Sequence, residues 1–412
     1  MVMKKFTALT LSVATILSVS TGCKKKLKKF ELELGDTITM GEYQGEEIEW
    51  EVMHRTFEVG QNKVIVEFQS TTAVECLPFN EDGRSSWEYS TLREWLNTDF
   101  YEEAFSKSEK EQILYTSYCM YTGNARWLKD YVYLSDEFPK YQMDPAESTC
   151  KPSEHAKAQG IRIENGSCAY WTRDVVNYVG AATGSSAGKN AKSPASTAYP
   201  LCLGTSQSVP TNSDESFILE DVGVRPWISI EYEGTFEMKD INPADRVILG
   251  TYDGDPIIWI VIESDKDGLE LLSKYGLEKM QMDMDPEETV FAETDLHDWL
   301  NEDFYKEAFS KDDKKVIVTN DEDDNVSLIG KISMRDGFSR DCIFELVIGS
   351  GYSRAYCDNN KVTEREALDV FWCNYVSESN SMLATFQVSG ILQNGKKANE
   401  EFSVRPFITI KF

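Results

Sequence analysis

The stretch AYWTRD at 169–174 places Tyr170, Trp171 and Arg173 within four residues. An exposed tryptophan stacks on sugar rings or apolar side chains, and a nearby guanidinium offers forked donors to carboxylates and hydroxyls. This is recognition chemistry rather than bond-breaking chemistry, and it makes these three residues the candidate ligand-binding set. A weaker match, VFWCNY at 370–375, keeps the tryptophan as Trp372 but has Asn374 where the first stretch has Arg173. A shared tryptophan beside an unshared arginine points to a structural Trp171 and an optional Arg173. Arg225 and Arg405 each precede a proline in a Val-Arg-Pro step. The expectation is an arginine pinned to a carboxylate or to loop carbonyls; the alternative is a cleft arginine that binds a carboxylate or sugar hydroxyls.

Other constellations are weaker. GSSAG at 184–188 matches the letter of a nucleophile elbow, but an elbow needs an apolar strand before it and a helix after it. This one lies inside the small-residue run GAATGSSAGKNAKSPAS. With three histidines in the chain, a serine hydrolase triad is disfavoured. The acidic runs DMDPEE (283–288) and DEDD (321–324) lack the glycine that a calcium loop requires at its turn and read as solvated loops. The cysteines after Cys23 number five in the first half and three in the second, with no CxxC. That argues against a zinc ribbon and against a disulfide framework shared by both halves. No metal, no cofactor and no enzymatic activity are expected.

The elements that must position such residues occur twice. REWLNTDFYEEAFSK (93–107) returns as HDWLNEDFYKEAFSK (297–311), with eleven of fifteen positions identical. DTITMGEYQGEEIEWEV (36–52) matches DRVILGTYDGDPIIWIV (245–261), and VGVRPWISIEY (222–232) matches FSVRPFITIKF (402–412). Gln-Gly and Asp-Gly turns between alternating runs predict hairpins. KVIVEFQ (63–69) and GLELLSK (268–274) predict third strands. Leu92, Trp95, Leu96 and Phe100 recur at helical spacing behind a Thr91/Glu94 capping pattern, and Ser106/Glu109 and Ser310/Asp313 predict further helix starts. The repeated Trp95/Trp299, Phe100/Phe304 and Phe105/Phe309 pairs are expected in the core, and Asn97/Asn301 with Asp99/Asp303 as caps or loop bridges. This gives an α+β fold of two tandem copies of a small mixed domain, 31–235 and 236–412, as two domains rather than one continuous sheet. A loop at 180–198 is an insertion of the first copy, which makes that copy the expected ligand carrier and the second its support.

Length and charge set the outer bounds. The chain has 412 residues, and its formal charge of −28 excludes nucleic acid as a partner and disfavours acidic polysaccharide. Residues 1–23 read as a bacterial lipoprotein signal: Lys4 and Lys5, an apolar run, then Thr21-Gly22-Cys23, with Ser20 where leucine is usual. Cys23 is the expected lipidation site. Five lysines between Lys24 and Lys29 form a basic tether, residues 24–30, at the head groups.

TLREWLN, CKPSEHAKAQG (150–160), YWTRD and VGVRP resemble the motifs of the bacterial family called domain of unknown function 6273, closely over 31–235 and more loosely over 236–412. The second copy has no recognisable CKPSEHAKAQG element. More remotely, the late tryptophan segment and final Val-Arg strand resemble the C-type-lectin-like fold of sulfatase-modifying-factor-type proteins. The resemblance implies tandem lectin-like domains of unassigned activity.

The expected function is a surface-anchored binding lipoprotein that recognises a cell-wall glycan, a peptide or an envelope protein. An envelope scaffold without a small ligand is the alternative, and an enzyme of the sulfatase-modifying group is a further one. The anchor gives the first prediction. Cys23→Ser should move the protein from the membrane to the soluble fraction, and retention of a variant whose N-terminus is shown by sequencing to be processed would contradict lipidation.

Overall fold

The computed structural model describes residues 27–81, 87–120, 126–135, 150–177, 198–203, 222–285, 290–320, 323–329, 370–376, 383–387 and 392–412. The fold is mixed α+β, mostly strands with a few short helices. The first copy contributes β1 Thr37–Tyr43, β2 Glu46–Glu58, β3 Lys63–Ser70 and β4 Trp227–Glu233. The second contributes β5 Arg246–Tyr252, β6 Asp255–Ser264, β7 Leu269–Ser273 and β8 Pro406–Ile410.

Equivalent residues do equivalent work in the two copies. Gln44-Gly45 and Asp253-Gly254 both hold positive φ, the geometry of a tight hairpin turn. Trp50 Nε1 donates to the Met40 carbonyl at 2.7 Å, and Trp259 Nε1 to that of Leu249 at 2.8 Å. Trp50 stacks on Phe105 and Trp259 on Phe309. Gly41 and Gly250 sit at register shifts with φ of 76°. A Cβ there would lie 2.7 Å from the Ala104 or Ala308 carbonyl oxygen, so only glycine lets each hairpin bend under its helical segment. Arg225 and Arg405 both precede the closing strand, as the duplication requires.

The helical segments differ from expectation in two details. Ser90 rather than Thr91 is the N-cap, accepting from the Arg93 amide, and Thr294 does the same for His297. Each helix then opens into a π turn, at Leu96–Phe100 and Trp299–Phe304. The wider turn still packs Phe100 and Phe304 fully into the core. The Ser106/Glu109 capping box forms, and Ser310 and Asp313 exchange the same pair of bonds.

The expectation of two separate sheets is corrected. One eleven-stranded sheet runs through both copies in the order Ile317–Val318, β8, β7, β6, β5, β2, β3, β4, Val132–Tyr133, with β1 also on β2 and Ser327–Leu328 also on β8. The seam is the parallel pairing of β5 with β2, Arg246 opposite Thr56 and Ile248 opposite Glu58. It exists because the first hairpin is longer. Trp50 faces Ser70 across twenty residues, whereas Trp259 faces Ser273 across fourteen. The extra residues carry β2 past β1 and expose a stretch of edge that β5 occupies.

On one side of the seam Phe57 is fully buried between Phe30 and Phe236. There too the Arg55 guanidinium clamps Asp245 with two bonds, 2.9 and 2.6 Å, both side chains out of solvent, and reaches exposed Glu33. Burial opposes the Arg55 charge, but Asp245 and then Glu33 outweigh it and raise its pKa. Burial also raises the Asp245 carboxyl against the pull of Arg55. Such a pair adds little net stability but fixes which carboxylate meets which guanidinium. Residues 28–30, read as tether, also join the fold: Phe30 and Lys28 exchange backbone bonds with Thr235, and Lys29 pairs with Asp240 at 2.7 Å.

Asp245→Ala should cost about 3 kcal/mol in denaturant unfolding, because it strands a buried guanidinium. Arg55→Met with Asp245→Leu should recover most of that loss. An Asp245→Ala loss below 1 kcal/mol would contradict a clamp at the seam.

Candidate functional site

The other side of the seam is polar. Side chains alternate along strands, so β3 turns Val64, Val66 and Phe68 to the core and Ile65, Glu67 and Gln69 the opposite way. In β4, Ser229 faces Glu67 and Trp227 faces Gln69. In β5, Arg246 lies on this face, where the first copy has Thr37. Above it is a cavity of about 310 Å³. Its lining includes His54 and Thr56 from β2, Glu67 from β3, Trp227 and Ser229 from β4, and Arg246 from β5. It also includes Tyr118, Tyr133, Ser135, Arg173, Lys274 and Tyr275. Both copies therefore build it.

Its charge runs against that of the chain. Arg173, Arg246, Lys274 and His54 surround Glu67, the one acid in the described lining. Arg246 pairs with Glu67 across the seam. Burial would raise the Glu67 carboxyl, but Arg246 outweighs it, with His54, Lys274 and Arg173 adding to the pull, and its pKa falls from 4.5 to about 2. Tyr133 binds Ser229 Oγ at 2.8 Å and reaches Glu67 at 3.4 Å. Burial and then Glu67 hold its phenol well above the ordinary range, so it stays neutral.

The aromatic wall is fixed from behind. Tyr118 accepts from Trp87 Nε1 at 2.8 Å and donates to Asp130, which also holds Arg93 at 2.8 Å. In the second copy His297 and Asp324 stand in the matching places, 2.7 Å apart. Asn97 ties the helical segment to the edge strand, donating to the Val132 carbonyl and accepting from the Tyr131 and Val132 amides. Asn301 does the same for Asn325 and Val326.

Four buried polar atoms along this face have no hydrogen-bond partner among the described residues: Nε2 and Oε1 of Gln69, Oγ of Ser135 and Nε1 of Trp227. Ser135 and Trp227 line the cavity, and Gln69 is the ladder partner of Trp227. Buried polar groups are rarely left unpaired in protein interiors, so this face is suited to a polar guest.

The three residues singled out from sequence separate. Tyr170 is buried under the Arg225 guanidinium. Trp171 is also buried, not exposed: its indole donates to the Leu77 carbonyl at 2.8 Å and its ring meets Phe79. Trp372 makes the matching bond to the Met280 carbonyl at 2.9 Å, as a structural tryptophan should. Arg173 reaches the cavity, its guanidinium over Tyr118 and bonded to the Leu134 carbonyl. Arg225 and Arg405 donate to the Ser70 and Ser273 carbonyls, the pinned arrangement. Burial pulls Arg405 down to about 9, which leaves it charged at neutral pH. Loop 180–198 and the GSSAG run fall almost wholly outside the described residues. Among the described residues no group of three or more His, Cys, Asp or Glu side chains could hold a metal.

His54, Glu67, Gln69, Arg246 and Lys274 were not singled out as site residues. The available signals were a carboxylate and an amide inside the apolar run KVIVEFQ, and an arginine replacing Thr37 in the second copy.

The family model described as Domain of unknown function (DUF6273) matches residues 75–232 and 267–328, one block in each copy. That is more than half of the chain, and the chain belongs to this family. No curated protein and no solved structure matches it.

Glu67 supplies a pH test. Its folded pKa is depressed, so its stabilisation is present above about 4.5 and is lost as pH falls toward 2. The unfolding free energy of wild type should exceed that of Glu67→Gln by about 2 kcal/mol at pH 6 and converge with it only below about pH 2. A gap independent of pH would contradict the ionised Glu67–Arg246 pair.

Proposed function

We propose that this is a binding protein whose ligand occupies the seam cavity and carries a carboxylate. The observation that carries the reading is the set of buried polar atoms of Gln69, Ser135 and Trp227 that have no partner among the described residues, beside a cavity ringed by Arg173, Arg246 and Lys274. The cations suit an anionic group, the orphaned donors and acceptors suit hydroxyls or amides, and Tyr118, Tyr133 and Trp227 suit the face of a ring. The volume admits one sugar or a short peptide end. A long polyanion would be repelled by the chain's overall charge, whereas one small anion meets the local basic lining.

The ligand class that joins these features is an acidic cell-wall saccharide or a peptide carboxylate. On this reading the protein is a lipoprotein held at the outer face of a bacterial membrane by Cys23 and the lysines of 24–29, with the cavity open to envelope material. No helix of the described residues is long and apolar enough to cross a membrane. Each copy is assigned a C-type-lectin-like architecture, supported by the late tryptophan strand lying parallel to the Gly223–Val224 step and by its counterpart, Phe371 beside Ser403. Both copies supply the site, which replaces the expectation of a first-copy carrier and a second-copy support.

N-acetylmuramic acid, with N-acetylglucosamine as the neutral control, is a direct pair of probes for calorimetry. The acidic sugar should bind and the neutral one should not. Lys274→Ala should weaken binding by about tenfold, the loss of one charge-assisted hydrogen bond, with a native circular dichroism spectrum. Glycyl-glutamate tests the peptide class in the same way. Absence of binding by either acidic probe, or equal affinity in Lys274→Ala, would favour an envelope scaffold.

A further inference from the structure

Behind the first copy's sheet lies a small separate core made of Ala73, Cys76, Cys150, Ala156, Ile161, Cys168 and Tyr170. Cys150 and Cys168 face each other as an antiparallel bridge pair and exchange two backbone bonds, 3.1 and 2.7 Å. Their sulfurs are 3.7 Å apart, and both residues are buried. Hydrogen-bonded antiparallel partners have Cα atoms about 5.5 Å apart, inside the window that a disulfide spans. A bond needs the sulfurs to close from 3.7 Å to about 2.05 Å.

We propose that Cys150 and Cys168 form a disulfide in the mature protein. The ring it closes contains the Lys151–Pro152 strand, which pairs with Thr72–Ala73, and the helix Glu154–Ala158. That helix sets His155 Nε2 2.8 Å from Glu75, whose carboxylate also accepts from the Tyr43 hydroxyl at 3.1 Å. The second copy's sequence has no recognisable counterpart of the CKPSEHAKAQG stretch. The segment has a thin apolar core of its own, and a covalent closure that restricts the unfolded chain is a means of holding such a piece.

The chemistry is an exchange. Two thiols lose two protons and two electrons as the Sγ–Sγ bond forms, and a disulfide-bearing oxidant accepts them, its own disulfide becoming two thiols. An exported protein meets oxidants of that class. Hydrogen bonding with Cys150, and then burial, push the Cys168 thiol well above the ordinary range. The folded, reduced pair therefore holds little thiolate, and the bond forms while the segment folds. Cys76, the third thiol of the cluster, is the competitor.

The test refolds the full chain, in detergent, in a buffer of reduced and oxidised glutathione, then alkylates it and digests it without reduction. Mass spectrometry should find the peptides carrying Cys150 and Cys168 joined and two hydrogens lighter than their sum, with both residues alkylated only after reduction. Full alkylation of both without reduction, or linkage of either to Cys76, would overturn the proposal. Cys150→Ala, Cys168→Ala and the double variant should each lower the melting temperature by a similar amount, about 5–10 °C, and reductant should bring wild type to the same value. A wild type indifferent to reductant would assign the thiols to packing alone. Should the variants fail to fold, the mass measurement on wild type decides.

Discussion

The parallel ladder between β2 and β5 is the constraint on which the rest of the structure depends. Within the shared sheet each copy is a short meander with a helical segment packed on it and an edge left open. In the first copy the longer hairpin carries β2 beyond the reach of β1, so its edge from Thr56 to Glu58 needs a partner. β5 takes that edge. An unpaired buried edge would leave amides and carbonyls without partners, so the two copies are bound to one another by the same force that builds each of them. Phe57 and the Arg55–Asp245 clamp fill one side of the junction, and the Arg246–Glu67 pair closes the other.

The site follows from the seam rather than from either copy. In their cores the copies are near replicas: the Trp50 and Trp259 bonds, the Asn97 and Asn301 bridges, the pinned Arg225 and Arg405. Where they differ, the cavity appears. Arg246 replaces Thr37 and points across the junction at Glu67. His54 stands where the second copy has Glu263. Arg173 comes from the first copy and Lys274 from the second. Duplication supplied a rigid frame, and the departures from symmetry supplied charge and space.

Much of the frame was legible in the sequence because its causes are local. Turn residues at Gln44-Gly45 and Asp253-Gly254, the glycine of each bent strand, the reciprocal bonds of Ser106 with Glu109 and the alternation of Ile228, Ser229 and Ile230 act over a few residues. The misreadings were of two kinds. Ser90 and Thr91 are both good caps, and the 3-10 turn at Trp87–Tyr89 ends immediately before the first. Trp171 belongs to the candidate ligand-binding set although its pairing with Trp372 points to a structural role, and its sequence context carries no sign that a distant carbonyl, here that of Leu77, takes its N–H. The seam was harder still, since Arg55 and Asp245 are 190 residues apart and Arg55 lies outside the repeated motifs. The asymmetry in hairpin length was visible, and it is what breaks the two-sheet reading.

Backbone amide exchange across the junction tests this account most directly. The seam is part of one continuous sheet, so peptides covering 54–59 and 245–249 should exchange as slowly as those covering the flanking strands β3 and β6, with all four opening only on global unfolding. Fast exchange confined to 54–59 and 245–249, with β3 and β6 still protected, would mean that the copies are separate domains in loose contact and that the cavity between them is not a built site.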